Sequence, residues 1–131
     1  MRHPEQTLAD RESSATRATR SVVESHVARF AEGDLDGILA DYAPGAIFFT
    51  PQGPLRGTGQ IGALFRSLLA EFGKPGASFS LDHLCVEGDH AYLLWHGKTA
   101  DNDYELCTDT FIVRNGKIAV QSFAAKITPL R

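Results

Sequence analysis

The sequence predicts one α+β domain, with about three helices packed on one face of a curved, mainly antiparallel β-sheet. Three observations point to it. The chain has 131 residues, 43% of them hydrophobic, which suits a single domain able to bury its own core. Apolar residues recur at helical spacing through the first half. The second half alternates in strand-forming runs separated by turn residues. Helices gathered on one face of a curved sheet make an α+β sandwich with a cavity between the layers, and such cavities are apolar with a few polar groups.

Residues 1–16 (MRHPEQTLADRESSAT) are polar and read as a flexible N-terminal extension or a short helical arm, leaving 17–131 as the domain. From Ser21 the pattern becomes helical, with Val23, Val27, Phe30 and Ala31 on one face. Gly33 fits the stop of this helix and Asp34 the N-cap of the next. Leu35, Ile38, Leu39 and Tyr42 form a second stripe, ended by Pro44-Gly45. Ala46–Thr50 is a short run of strand formers closed by Pro51, Gly53 and Pro54, and Leu55–Gly57 is a very short second strand. A third helix carries Ile61, Leu64, Phe65, Leu68, Leu69 and Phe72 on one face and stops at Gly73 and Pro75. Strands follow at 78–87, 90–99, 104–114 and 117–128, broken by Gly88-Asp89, Asp101-Asn102-Asp103 and Asn115-Gly116. Asn-Gly is the strongest of these hairpin signals, because a type I′ turn needs positive φ at both central residues.

Composition excludes several classes. A formal net charge of -3 argues against nucleic-acid binding, which calls for a basic face. No apolar run approaches the ~18 residues of a membrane span, and the N-terminus lacks the apolar stretch of a signal peptide. Two cysteines are too few for a disulfide scaffold. The expectation is a cytoplasmic protein with no membrane or nucleic-acid partner. Neither a Gly-rich phosphate loop nor a Gly-x-Ser-x-Gly elbow is present, so nucleotide binding and serine-hydrolase chemistry have no support; no cofactor is expected. His26, His83, His96 and Asp109 are metal-ligand types without short ligand spacing, and no metal site is expected.

The run VARFAEGDLDGILADYAPGAIFFTPQGPLRGTGQIGALF carries Gly-Asp between the first two helices, Tyr-Ala-Pro leading into the first strand and Gly after the second. A Gly-Asp turn, Trp95 in a strand, Asp109 and Phe111 spaced by two, and Asn-Gly-Lys-Ile at 115–118 follow. In this order, over roughly residues 17–128, the chain resembles the SnoaL-like, ketosteroid-isomerase-like branch of the nuclear transport factor 2-like superfamily. The resemblance implies the cone fold and a homodimer formed through the sheet face. It does not fix an activity, because the fold hosts isomerases, cyclases, dehydratases, hydrolases and non-catalytic binders.

In the steroid isomerases a first-helix Tyr donates a hydrogen bond to the substrate oxygen, and His26 stands at the matching position. Their base, an Asp before a Pro at the end of the first strand, is matched by Thr50 before Pro51. Their protonated late-strand Asp is matched by Asp109. A threonine hydroxyl is no substitute for a carboxylate base near neutral pH, which argues against steroid isomerisation by that mechanism.

Asp109 is the sharpest candidate. It shares a strand face with Cys107 and Phe111 by period two, and a carboxylate there is costly unless paired, hydrogen-bonded or neutralised. It is either an acid/base with a raised pKa or a solvent-facing or structural Asp that accepts hydrogen bonds from a neighbouring strand or loop. His26, on or near the buried stripe of the first helix, is expected to face Asp109 as a His–Asp pair; the bland alternative is a partly buried His bonded to a backbone carbonyl. Trp95 and His96 point to opposite faces, and the preferred cavity residue is Trp95. Thr50, Tyr42, Phe48 and Phe65 complete the expected substrate-binding set, with ordinary core packing the better account of the two Phe, and a core Tyr with its hydroxyl at the rim the better account of Tyr42. Cys85 and Cys107 are expected as buried, inert thiols, able to approach on neighbouring strands.

Two functions follow. One is a cofactor-independent enzyme for a small, largely apolar carbonyl compound, of isomerase, cyclase or dehydratase type, with Asp109 as acid/base and His26 as its partner. The other is a non-catalytic ligand-binding or dimeric interaction module.

Overall fold

The computed structural model describes residues 12–131. The first eleven residues of the expected extension lie outside them. Helix α1 (Ser14–Glu32) begins seven residues before the apolar stripe does. Ser13 caps it, its side chain accepting from Thr16 N–H. The early start has a tertiary cause: Thr16 and Thr19 are buried, and the Thr16 hydroxyl accepts from Gly88 N–H at 2.8 Å, tying α1 to the turn after residue 87. Gly33, with φ 71°, closes α1.

Helix α2 (Leu35–Ala40) is capped by Asp34, which accepts from Gly37 N–H at 2.9 Å. It ends before Tyr42, which the apolar stripe had assigned to it. Ile118 N–H donates to Asp41 O at 2.8 Å and draws the chain into the sheet there. Tyr42 is therefore the first residue of strand β1 (Tyr42–Thr50). Strand β2 (Gly53–Arg56) starts two residues before the expected Leu55–Gly57, because Gly53 and Pro54, expected in the turn, already pair with Thr50 and Phe49. Helix α3 (Gly57–Phe72) and strands β3 (Ser78–Glu87), β4 (His90–Lys98), β5 (Asn102–Arg114) and β6 (Lys117–Pro129) follow closely as expected. Asn115 and Gly116 take φ of 53° and 73°, as the hairpin signal requires.

The six strands form one sheet in the order β2-β1-β6-β5-β4-β3. β1 runs parallel to β6; every other pair is antiparallel. Register shifts fall at Leu81/His83, Trp95/Gly97 and Tyr104/Leu106, on three adjacent strands. Irregularities aligned across a sheet bend it, and this bend makes the concave face. Gly97 sits on that line because a Cβ there would meet Ser78 O at 2.7 Å. Val23, Ile38, Ile61, Phe48, Phe111 and Ile118 form the heart of the core between helices and sheet. The cysteines do not approach: β4 separates their strands, Cys85 is exposed and Cys107 buried. No described helix is long and apolar enough to cross a membrane.

Candidate functional site

A cavity of about 550 Å³ opens between α1, α3 and the concave sheet. Its wall is largely aromatic and aliphatic: α1 gives Phe30, α3 gives Phe65 and Phe72, and the sheet gives Phe79, Trp95 and Phe123. Its polar groups are few. They are His26, Asp109, Gln121, Thr50, Gln52, Gln60 and the hydroxyl-bearing Tyr104. Neither Lys nor Arg is among the described lining residues.

Asp109 points inward from the middle of β5 and is 7% exposed. Trp95 Nε1 donates to its Oδ2 at 2.8 Å, and Gln121 Nε2 donates to its Oδ1 at 2.9 Å. Burial raises the Asp109 pKa above the usual carboxylate range; the Trp95 and Gln121 hydrogen bonds and the His26 ring pull the other way without reversing it. Each carboxyl oxygen uses one lone pair on the protein and retains another.

His26 lines the same cavity but is not paired with Asp109. Its Nδ1 lies 3.1 Å from Asp41 Oδ2, and its Nε2 lies 3.3 Å from the Tyr42 hydroxyl. Tyr42 donates to Gln121 Oε1, so Tyr42 and Gln121 bridge the expected pair. The expectation of a direct His–Asp contact is thus corrected: α1 carries His26 toward the end of α2, where Asp41 takes its Nδ1–H. Tyr42 is not a lining residue either. Its ring is 4% exposed and its hydroxyl is engaged behind the wall. Burial, then the carboxylates of Asp109 and Asp41, keep its phenol well above its ordinary pKa, so it stays protonated.

Thr50, Phe48, Phe65 and Trp95 line the cavity, and Phe48 and Phe65 are at the same time buried core side chains. The Thr50 hydroxyl is occupied, donating to Gly53 O at 2.9 Å and accepting from Gln52 N–H at 3.2 Å. His96 does not line it. β4 alternates Leu93 and Trp95 inward, so His96 faces out, exposed, with its Nδ1 2.8 Å from Asp82 Oδ2. Trp95 is more than a flat wall, since its N–H fixes Asp109.

Sequence reasoning missed Gln121, Asp41 and Glu71. Gln121 had a signal: period two places it on the face of Phe123, Ala125 and Ile127, where a lone polar side chain needs a partner. Glu71, at the end of α3, accepts from Thr99, Asn102 and Tyr104 at 2.7, 3.0 and 2.9 Å. Partial burial pushes its pKa up, but these hydrogen bonds outweigh it and hold the carboxyl below its ordinary value. The clasp seats Tyr104, whose ring stacks on Trp95 at 5.8 Å and 25°. Burial, then Asp109, pushes the Cys107 thiol up to about 12, so it remains an inert thiol.

Residues 23–121 match the family described as the SnoaL-like domain. Among curated proteins, none matches the chain. Solved structures share the fold. An NTF2-like protein of unknown function from Mesorhizobium loti superposes with a TM-score of 0.76 at 18% identity, covering 87% of this chain and 95% of that one. A SnoaL-like protein of unknown function from Burkholderia thailandensis gives 0.68 at 20% identity, covering 84% and 95%. A de novo designed protein with a curved β-sheet gives 0.71 at 19% identity, covering 84% and 86%. The shape therefore exists without an evolved activity, and function has to be sought in the site.

Proposed function

The chain belongs to the SnoaL-like domain family, and on that premise we propose that it binds a small, neutral, largely apolar carbonyl compound in the cone and moves a proton on it without a cofactor. The observation that carries this reading is Asp109, a buried carboxyl with a raised pKa in the wall of an apolar cavity. A carboxylate that resists ionisation is a stronger base than one in water, and closer to the proton affinity that acid–base catalysis near neutral pH needs. Asp109 takes a proton from a carbon next to the carbonyl. The C–H electron pair moves into the enolate, and the proton on Asp109 returns to a second carbon. Isomerisations, and the cyclisations or dehydrations that start from an enolate, share this step. A wall without Lys or Arg disfavours carboxylates and phosphates as ligands.

Deuterium exchange tests it. Neutral enones and ketones are incubated with the protein in D₂O, and Trp95, the sole tryptophan, reports binding by fluorescence. Label entering next to the carbonyl of a bound ketone is the expected result. Binding without exchange gives the second reading, a non-catalytic binder. One feature favours that alternative: the Thr50 hydroxyl and both His26 nitrogens are already engaged within the protein, leaving Gln52 and Gln60 to meet a developing enolate oxygen.

The same reading has the protein working as a homodimer. On the sheet face away from the helices, Cys85, Tyr92, Thr110, Ile112, Val120 and Ser122 border a shallow groove of about 440 Å³. Light scattering at micromolar concentration is expected to give twice the chain mass, and a monomer mass would remove the dimer.

A further inference from the structure

The cavity carboxyl is joined to a second, partly buried carboxyl by a continuous chain of side chains, Asp41, His26, Tyr42, Gln121, Asp109, of which all but Asp41 are buried. We propose that Asp41 and His26 are positioning residues which, through the Tyr42 hydroxyl and the Gln121 amide, set whether Asp109 is held as a carboxylate or as a carboxylic acid. This deepens the acid–base role of Asp109 and rests on that reading for its purpose.

The donors and acceptors along the chain show how. A carboxylate only accepts, so His26 Nδ1–H points at Asp41 whatever the charge on the ring. Tyr42 has one proton and two acceptors in reach, Gln121 Oε1 and His26 Nε2. In the observed direction the hydroxyl goes to Gln121 Oε1, and Gln121 turns its NH₂ to Asp109. His26 Nε2 is then served only if it carries a proton and donates to Tyr42. The chain runs from an imidazolium to a carboxylate, which collects two N–H donors, from Gln121 and Trp95.

Reversal satisfies the same atoms. Protonated Asp109 donates to Gln121 Oε1, the rotated amide donates to the Tyr42 oxygen, and Tyr42 donates to a bare His26 Nε2. Both arrangements hold the same number of protons: imidazolium with carboxylate, or imidazole with carboxylic acid. The amide turns over and carries no proton through itself. Its partners leave no intermediate orientation satisfied, so each end reports on the other.

Other charges face the two ends. Asp41 has Arg29 Nη1 at 4.0 Å from Oδ1, and Lys117 Nζ holds the adjacent Ala40 carbonyl at 2.6 Å. Asp109 has the Cys107 thiol on its own strand face and the Tyr42 phenol behind it. Glu71 is tied to Tyr104, which also lines the cavity.

Asp41 does not line the cavity, so Asp41→Asn perturbs the chain at its far end. The readout is the carboxyl ¹³C signal of Asp109 in the ligand-free protein, assigned by its loss in Asp109→Asn. With the carboxylate replaced by a neutral amide, the chain is expected to reverse. Asp109 then binds its proton about tenfold more tightly, a move of about one pH unit upward. In a Tyr42→Phe background the chain is cut, and Asp41→Asn is expected to move Asp109 by less than about threefold. No shift in the intact chain, or an equal shift in the Tyr42→Phe background, overturns the proposal; the second result would mean that charge acts through space. Should Tyr42→Phe fail to fold, Gln121→Met cuts the chain one link further on and is read in the same way. No ligand is used, so a failed deuterium exchange leaves this test standing, and an unmoved Asp109 leaves the exchange result standing.

Discussion

Asp109→Asn stops deuterium exchange into a bound ketone, by about 10²–10⁴-fold, and leaves the fold intact. Asparagine has the size of aspartate but accepts no proton at this pH, so the step assigned to Asp109 has no acceptor. Binding is expected to change little, because most of the cavity wall is apolar. The fold survives for a specific reason. The new side-chain amide accepts from Trp95 through its oxygen and gives its NH₂ to Gln121 Oε1, which reverses the chain to His26 without stranding a polar atom. The same substitution changes how stability depends on pH. The folded-state pKa of Asp109 is raised, so the folded protein binds this proton more tightly than the unfolded chain does. That contribution is complete below the ordinary Asp value of 3.8 and is lost as pH rises through the higher folded value. The amide of the variant has no such proton. The urea midpoint of wild type minus variant should therefore fall with rising pH across that window and level off above it. Unchanged exchange in the variant would remove Asp109 from the chemistry; a flat stability difference would mean that its proton affinity is not raised.

The fold was legible because local signals and tertiary structure agree over most of the chain. Asn115-Gly116 demands positive φ, the Phe65 face of α3 repeats at helical spacing, and four alternating runs become β3 to β6. The failures are tertiary. Thr16 joins α1 because a turn 72 residues away takes its hydroxyl, and no local periodicity encodes that. Tyr42 leaves the helical stripe because β6 captures the backbone beside it. In the site, parity put Trp95 inward and His96 outward once the sheet face was known, and Asp109 stood out as a carboxyl on an apolar face. The partners were harder. Asp41 and His26 are 15 residues apart, Tyr42 and Gln121 are 79 apart, and which donor meets which acceptor depends on the docking of α1 against β1 and β6. Matching residue types to a family's positions favoured a His26–Asp109 pair, whereas packing interposed two polar side chains between them.

Phe65→Ala costs about 3–5 kcal/mol, the largest single-residue loss of stability expected outside the polar chain. The ring is 5% exposed and sits where the layers of the cone meet. It makes edge or tilted contacts with His26 at 5.7 Å, Tyr42 at 6.1 Å, Phe48 at 6.1 Å and Phe30 at 6.3 Å. Those partners come from α1 and β1, so one side chain of α3 ties two other elements to it. A domain of this length has roughly 5–15 kcal/mol to lose, so the variant is left near the threshold of folding. At about 4 °C per kcal/mol the expected fall in Tm is about 12–20 °C. Phe65→Leu keeps most of the volume and should cost less than about 1.5 kcal/mol. The pair separates two roles of the ring. If Phe65 only fills space, both variants leave the ¹³C titration of Asp109 where it was. If it also holds His26 against Tyr42, Leu preserves the titration and Ala moves it upward, because a ring free to swing no longer aligns Nε2 with the Tyr42 hydroxyl. A Tm fall below about 4 °C for Phe65→Ala would show instead that the cavity already extends around the ring, and that the layers are held elsewhere in the core.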